Sequence, residues 1–247
     1  MEQTLEQETR REQSRFLARI YGYMAAGLGI TAVVSFVLAL LFTNWFIGVV
    51  DDPDSTKAAA AFTTYLVIMV VSGIALLIDT FVMHAVLRKG KHSLWIPYIV
   101  YAVLMGVFMS SFLVAGIDFY TIGEAFALTA IVFLLMFFIG YFSPVNLNIL
   151  GTIAIGLLLT LTLIGLFFGI VFLVTGAWDT WNLIYSVAVA VIVMIVCAVD
   201  GYNIKKLGES GIVSNNLALY SAFSMYVDFI MIFIRILYLL AVSKSRR

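Results

Sequence analysis

The chain has 247 residues, 63% of them hydrophobic and 11% charged, with zero formal net charge and a mean hydropathy of +1.09. Ordinary globular chains are about half apolar and about one quarter charged, so this composition excludes a soluble domain. Zero net charge removes any global field that would argue for nucleic acid or acidic substrates. The single cysteine, Cys197, lies inside an apolar run and excludes an intrachain disulfide.

Residues 1–19 form a polar segment of acids, glutamine and arginine. Glu8 and Glu12, with Arg11, Arg15 and Arg19, fall at spacings that permit pairs along a helix, which reads as a solvated helical lead-in. Its polar first fifteen residues, and the length of the apolar run that follows, do not match a cleavable signal peptide. Seven apolar runs come next. Each is of a length to cross a hydrocarbon core of roughly 30 Å at 1.5 Å per residue, so residues 20–242 are expected to form one seven-helix transmembrane domain, followed by a basic tail, 243–247.

The first predicted helix spans Ile20 to Val50, and its Gly22, Ala26 and Gly29 form a small-residue stripe expected to pack on a neighbouring helix. Asp51, Asp52, Pro53 and Asp54 end it as a solvated acidic turn. The second, Ala61 to Leu87, holds Asp79 and ends in a basic turn of Arg88, Lys89, Gly90, Lys91 and His92. The third runs from Leu94 to Ala115, with Pro97 in its first turn, where proline is tolerated. The fourth spans Ile122 to Phe142, and Ser143 to Asn146 breaks the chain. The fifth, Leu147 to Val174, carries Gly165 and Gly169 at GxxxG spacing. Trp178 and Trp181 mark an interface before the sixth helix, Trp181 to Ile204, which carries Asp200. The polar stretch Lys205 to Asn216 leads to the last, Leu217 to Val242.

Lys and Arg near the helix ends set the orientation. Arg10, Arg11, Arg15, Arg19, Arg88, Lys89, Lys91, Lys205 and Lys206 share one side. Lys57 shares the other with Asp51, Asp52, Asp54, Asp118, Glu124 and Asp179. This places the N-terminus in the cytoplasm. Seven crossings then put Lys244, Arg246 and Arg247 outside, against the rule.

Several membrane chemistries lack their residues. Every lysine lies in a loop, tail or helix end, so no Schiff-base lysine exists. There is no Gly-x-Ser-x-Gly elbow, no HExxH or paired Cys/His spacing for zinc, and no P-loop. The chain does not read as an enzyme, and no cofactor is expected. His84 and His92 read as interfacial side chains. What remains is a small set of ionisable groups in apolar sequence: Asp79, Asp200, Asp228 and Arg235, with Arg88 at a helix end. Buried acids in membrane helices serve ion paths or proton relays, or else form structural bridges. For Asp79 and Arg235, read as accessory intramembrane charges, the neighbouring residues leave both readings open.

The last run is the one on which the rest depends. Asp228 sits near its middle and Arg235 follows seven residues later, on about the same helical face. A carboxylate at that depth is costly unless it faces protein or water. The predicted fold is therefore an all-α seven-transmembrane helix bundle with the C-terminal helix central.

The C-terminal third resembles the Bax inhibitor-1-like family of seven-helix membrane proteins, which includes bacterial calcium-leak members. In IYSVAVAVIVMIVCAVDGYNIKKL, Asp200 and Ile204-Lys205 match the sixth-helix pattern, whereas Val199, Gly201 and Tyr202 depart from it. In LALYSAFSMYVDFIMIFIRIL, residues Tyr226 to Ile230 match the seventh-helix pattern around Asp228. Weaker likeness covers the third to fifth helices.

The resemblance implies that Asp200 and Asp228 form a hydrogen-bonded pair that senses pH and gates calcium. It also implies that Arg88 serves, by position, as a latch onto Asp200. The function implied is a pH-sensitive calcium leak channel of the inner membrane, with the two aspartates as weak calcium ligands and calcium as the ion transported. Its partners are the lipid bilayer, calcium and, in an alternative reading, another membrane protein: some family members are non-conducting modulators of a partner such as a membrane protease. No nucleic acid is expected. One geometric condition follows from the predicted boundaries. Asp200 would lie about 7 Å inside the end of its helix and Asp228 about 16 Å into the next, so they meet only if one of these helices extends past the membrane face.

Overall fold

The computed structural model describes residues 2–50, 55–89, 93–114, 116–175, 179–211 and 214–245. These residues form seven helices and no strand: α1 (Glu2–Val50), α2 (Ser55–Lys89), α3 (Trp95–Val114), α4 (Phe119–Tyr141), α5 (Asn148–Thr175), α6 (Asp179–Glu209) and α7 (Asn215–Ser245). Each contains a stretch long and apolar enough to cross a membrane. Their exposed faces carry large apolar side chains such as Val33, Leu41, Val70, Phe81, Ile96, Ile139 and Ile149. A surface of this kind is unsuited to water and natural against lipid tails. The chain is an all-α, multi-pass membrane protein.

Local chemistry sets several helix ends. Gly116, with φ of 81°, closes α3: its N–H reaches the Leu113 carbonyl at 3.0 Å, and the Ile117 N–H reaches that of Phe112 at 3.2 Å. These are the two bonds of a Schellman ending, which needs a left-handed residue that glycine adopts freely. The Asn146 side chain accepts from the Asn148 N–H at 3.1 Å before α5. Ser214 caps α7, its hydroxyl accepting from the Leu217 N–H at 3.1 Å. Gly211, with φ of 67°, follows the end of α6.

The helices are longer than the apolar runs predicted. The polar lead-in is continuous with α1, α6 runs five residues beyond Ile204, and α7 begins two residues before Leu217. Hydrophobicity ends where the bilayer ends, but backbone hydrogen bonding continues until a cap or glycine stops it. The acidic turn of Asp51, Asp52, Pro53 and Asp54, the residues Gly90, Lys91 and His92, and Trp178 lie outside the described residues, as do the side-chain surroundings of Gly169 and Trp181.

The described helices divide into two units. The first contains α1 from Arg15, α2, α3 and the start of α7 through Phe223. Here the expectation for the Gly22, Ala26 and Gly29 stripe is corrected. All three are exposed, and a Cβ added to Gly22 or Gly29 would meet nothing within 4 Å. The buried stripe of α1 is instead Phe16, Ile20, Met24, Gly27, Thr31, Ser35 and Ala39, spaced three or four residues apart as one helical face requires. The small residue that permits close approach is on α3: a Cβ at Gly106 would lie 2.7 Å from Val34 Cβ. Thr31 donates to the Ala102 carbonyl at 3.0 Å, and the Tyr98 hydroxyl donates to that of Tyr23 at 2.7 Å. Phe223 packs edge-on against Tyr98 and Tyr101.

The second unit contains α4, α5, α6 and α7 from Ser224, with the first residues of the chain. Phe229 packs on Phe126 and Phe133 of α4. Lys244, near the end of α7, pairs with Glu124 at 2.8 Å, donates to Thr121 at 2.8 Å and lies over the Tyr120 ring. The end of α7 and the start of α4 thus share a level, and one basic residue of the dissenting tail is matched there by an acid. Along α7, no residue from Asn216 to Val242 is exposed. The other helices each present exposed apolar side chains, so α7 is the central helix.

Candidate functional site

Asp200 and Asp228 meet through their carboxyl groups, in hydrogen-bonding contact with each other. The Ser224 hydroxyl donates to Asp200 Oδ2. Helix extension supplies the geometric condition for this meeting. Asp200 stands about 14 Å before the end of α6 at Glu209, and Asp228 about 20 Å after the start of α7 at Asn215, a difference of about one helical turn. Side chains lean toward the N-terminus of their own helix. In this antiparallel pair Asp200 therefore leans deeper and Asp228 leans back, and the remaining turn is closed.

The backbones around Asp200 are packed tightly because glycine stands at each crossing. A Cβ on Gly140 of α4 would overlap the Ala198 carbonyl oxygen. A Cβ on Gly201 would lie 2.6 Å from the Phe137 carbonyl oxygen, and one on Gly151 of α5 would lie 2.7 Å from a Val199 methyl. The departures from the family pattern have physical roles here. Val199 fills the space left by Gly151, Gly201 admits α4, and the Tyr202 hydroxyl donates to Asn146 at 3.4 Å. Cys197, one turn before Asp200, directs its thiol at the Phe133 carbonyl at 3.7 Å.

Asp228 is 5% exposed, and its Oδ2 is buried with no hydrogen-bond partner. Asp200 is only partly buried. Two ionised carboxylates can only accept hydrogen bonds, so a bond between them requires one proton. The pair therefore forms a coupled site in a low-dielectric interior, titrating in two steps that belong to both acids. Among the described residues no three His, Cys, Asp or Glu side chains converge. A hard cation here would meet two carboxylates and the Ser224 hydroxyl, fewer than the six to eight oxygens calcium prefers.

The other predicted residues fall elsewhere. Arg235 lies over the Tyr185 ring at 5.1 Å and hydrogen-bonds its hydroxyl. Gly165 makes room for that hydroxyl, which a Cβ at this position would overlap. Arg235 is thus held by an aromatic partner between helices. Asp79 and Arg88 belong to the first unit. Asp79 is buried, with Oδ2 unpartnered, and Tyr101 bonds to the adjacent Thr80. Arg88 is exposed in the last turns of α2. His84 contacts the Thr80 carbonyl through Nδ1 at 2.8 Å and the Tyr220 hydroxyl through Nε2 at 2.8 Å. Because a carbonyl only accepts, Nδ1 is the donor in the contact with Thr80. Ser224 was missed by sequence reasoning, although it lies four residues before Asp228 on the same helical face.

Fold and site together define a seven-helix membrane protein with an acid pair buried between its last two helices. A family model described as "Inhibitor of apoptosis-promoting Bax1" matches residues 13–246, and the chain belongs to that family. It is similar to an uncharacterized membrane protein of Streptococcus pyogenes serotype M3, 27% identical over 91% of each chain. It is also similar to an uncharacterized protein of Lactococcus lactis, 27% identical over 94% of this chain and 92% of the relative. A third relative, from Chlamydia muridarum, is 28% identical over 94% and 93% of the two chains.

Proposed function

We propose that this protein is a pH-sensitive calcium leak channel of the inner membrane, gated by Asp200 and Asp228. The observation that carries this reading is the contact between the two carboxyl groups, placed by the central helix in an otherwise apolar setting. At low pH both acids hold protons, attraction for a basic latch is weak, and the helices are free to separate. With one shared proton the pair holds the path mostly shut. At high pH both acids ionise and repel, and they hold calcium without passing it. A two-carboxylate site suits this task, because conduction needs binding weak enough for release. The decisive experiment is calcium flux into proteoliposomes containing only this protein, measured across pH. Flux that varies with pH supports the reading. Its absence supports the alternative, a non-conducting modulator of another membrane protein.

Arg88 is proposed as the latch that pairs with Asp200 when that acid is ionised. Arg88→Ala is expected to raise flux near neutral pH several-fold, since an ion pair of about 1 kcal/mol corresponds to a factor of roughly five. Unchanged flux would remove the latch and leave the acid pair standing.

The proposed orientation has a cytoplasmic N-terminus, seven crossings and an external C-terminus. It rests on the distribution of Lys and Arg, and the Lys244–Glu124 pair supports it by matching charge at one level. A reporter active only outside the cytoplasm, fused after Arg247, is expected to be active. A silent reporter there, with an active one at Asp52, would reject this topology.

A further inference from the structure

We propose that Arg235 and Tyr185 form a binding site for the phosphate of an anionic phospholipid, in the leaflet on the side where α7 ends. Such a site stands whether or not the protein conducts calcium. Arg235 lies seven residues before Val242, where the apolar run of α7 ends. Its Cα is therefore about 10 Å inside that edge, at 1.5 Å per residue. A cation at that depth is costly unless it is paired or the bilayer adapts to it. Among the described residues Arg235 meets no carboxylate, and its partner is Tyr185. Asp228, two turns earlier on α7, is engaged with Asp200 instead. The other basic side chain of α7, Lys244, has its acid, Glu124, at 2.8 Å. A guanidinium carries five N–H donors in a planar fork. One bond to a tyrosine hydroxyl and one face on its ring leave most of that capacity unused.

Three helices hold the fork in place. Gly165 of α5 leaves the space that the Tyr185 hydroxyl of α6 occupies. With the ring fixed there, its face holds Arg235 of α7 at 5.1 Å, and its hydroxyl oxygen accepts from the guanidinium. The hydroxyl hydrogen has no acceptor among the described residues. It and the unused N–H groups of Arg235 are donors at one place beside one positive charge. That set matches an oxyanion, since an arginine fork meets two phosphate oxygens side by side. Both side chains are partly exposed, so a ligand from the bilayer can reach them. The neighbouring side chains identify the source of the phosphate. Leu163 and Ile164 on α5, and Ile184 and Val187 on α6, are exposed beside Gly165 and Tyr185. A free anion gains nothing from such an apolar wall, whereas the acyl chains of a phospholipid lie against it. Snorkelling of the arginine and local thinning of the bilayer bring head group and guanidinium to one depth. A head group with net negative charge is favoured over a zwitterionic one, because nothing else neutralises the arginine.

The test is native mass spectrometry of the full-length protein in detergent, titrated with phosphatidylglycerol or with phosphatidylcholine of the same chains. The parent is expected to bind phosphatidylglycerol several-fold more tightly. Arg235→Gln is expected to weaken phosphatidylglycerol binding about tenfold, the size of one hydrogen bond to a charged group, and to erase the preference. Tyr185→Phe keeps the ring, loses one donor and is expected to weaken binding a few-fold. Arg15→Gln removes an equal charge from the exposed lead-in and is expected to bind like the parent. Inorganic phosphate in excess is expected not to displace the lipid; displacement would show a site for a free anion and reject the lipid. A parent without preference, an Arg235→Gln protein that keeps it, or an equal loss in Arg15→Gln would overturn the proposal. Thermal unfolding of delipidated protein separates binding from packing. Arg235→Gln is expected to unfold near the parent's temperature without lipid and to lose the gain that phosphatidylglycerol gives. A variant less stable than the parent without lipid, yet gaining as much from phosphatidylglycerol, would make Arg235 a packing residue only and reject the site.

Discussion

Asp200→Asn and Asp228→Asn are each expected to remove the two-step pH response of calcium flux. An amide cannot titrate, and the remaining acid no longer has a partner with which to share a proton. A single controlling proton changes an equilibrium by up to about tenfold per pH unit, and flux across the range where the pair titrates should fall from that steepness to nearly flat. Flux is measured in proteoliposomes over a pH series. A single aspartate variant with the parental profile would refute a coupled pair.

The sequence made the membrane helices legible because bilayer thickness writes itself into run length. It also singled out Asp79, Asp200, Asp228 and Arg235, since a charge in an apolar run has few inexpensive placements, and the resemblance to a family narrowed these to Asp200 and Asp228. It misplaced the contact face of α1, where Gly22, Ala26 and Gly29 formed the more obvious stripe but Thr31 and Gly27 face protein. Small residues permit close packing without requiring it. The glycine that does so, Gly106, sits on α3 and is conspicuous only once α1 is beside it. Ser224 was invisible for another reason. Serine is common in membrane helices, usually returning its hydroxyl to its own backbone, as Ser72 and Ser110 do here. Only the register of the α6–α7 hairpin distinguishes a serine opposite Asp200. Likewise Gly201 read as a departure from a family pattern, and its purpose shows only in the approach of Phe137.

Gly140→Ala is expected to be the most damaging small substitution in the chain. The added methyl would overlap the Ala198 carbonyl oxygen, with the Ala198 carbonyl carbon and Cα also within 3 Å. All three are backbone atoms, so no side-chain rotation relieves the contact, and α4 and α6 must separate. Overpacking a core ordinarily costs about 1–3 kcal/mol, and a backbone collision belongs at or above the upper end. The same change at Gly22 or Gly156 meets open space and should be neutral or gain up to about 1 kcal/mol, because alanine favours the helix over glycine. Thermal unfolding of the three variants in one detergent compares them directly. The effect also reaches the acid pair, because Ala198 is two residues from Asp200 and a displaced α6 would alter the hydrogen bond from Ser224. In Gly140→Ala the pH profile of calcium flux should therefore shift together with the loss of stability, while Gly22→Ala leaves that profile unchanged. A Gly140→Ala protein as stable as its parent would show that α4 and α6 do not cross this closely, and with that contact would go the account of how Asp200 is held in place.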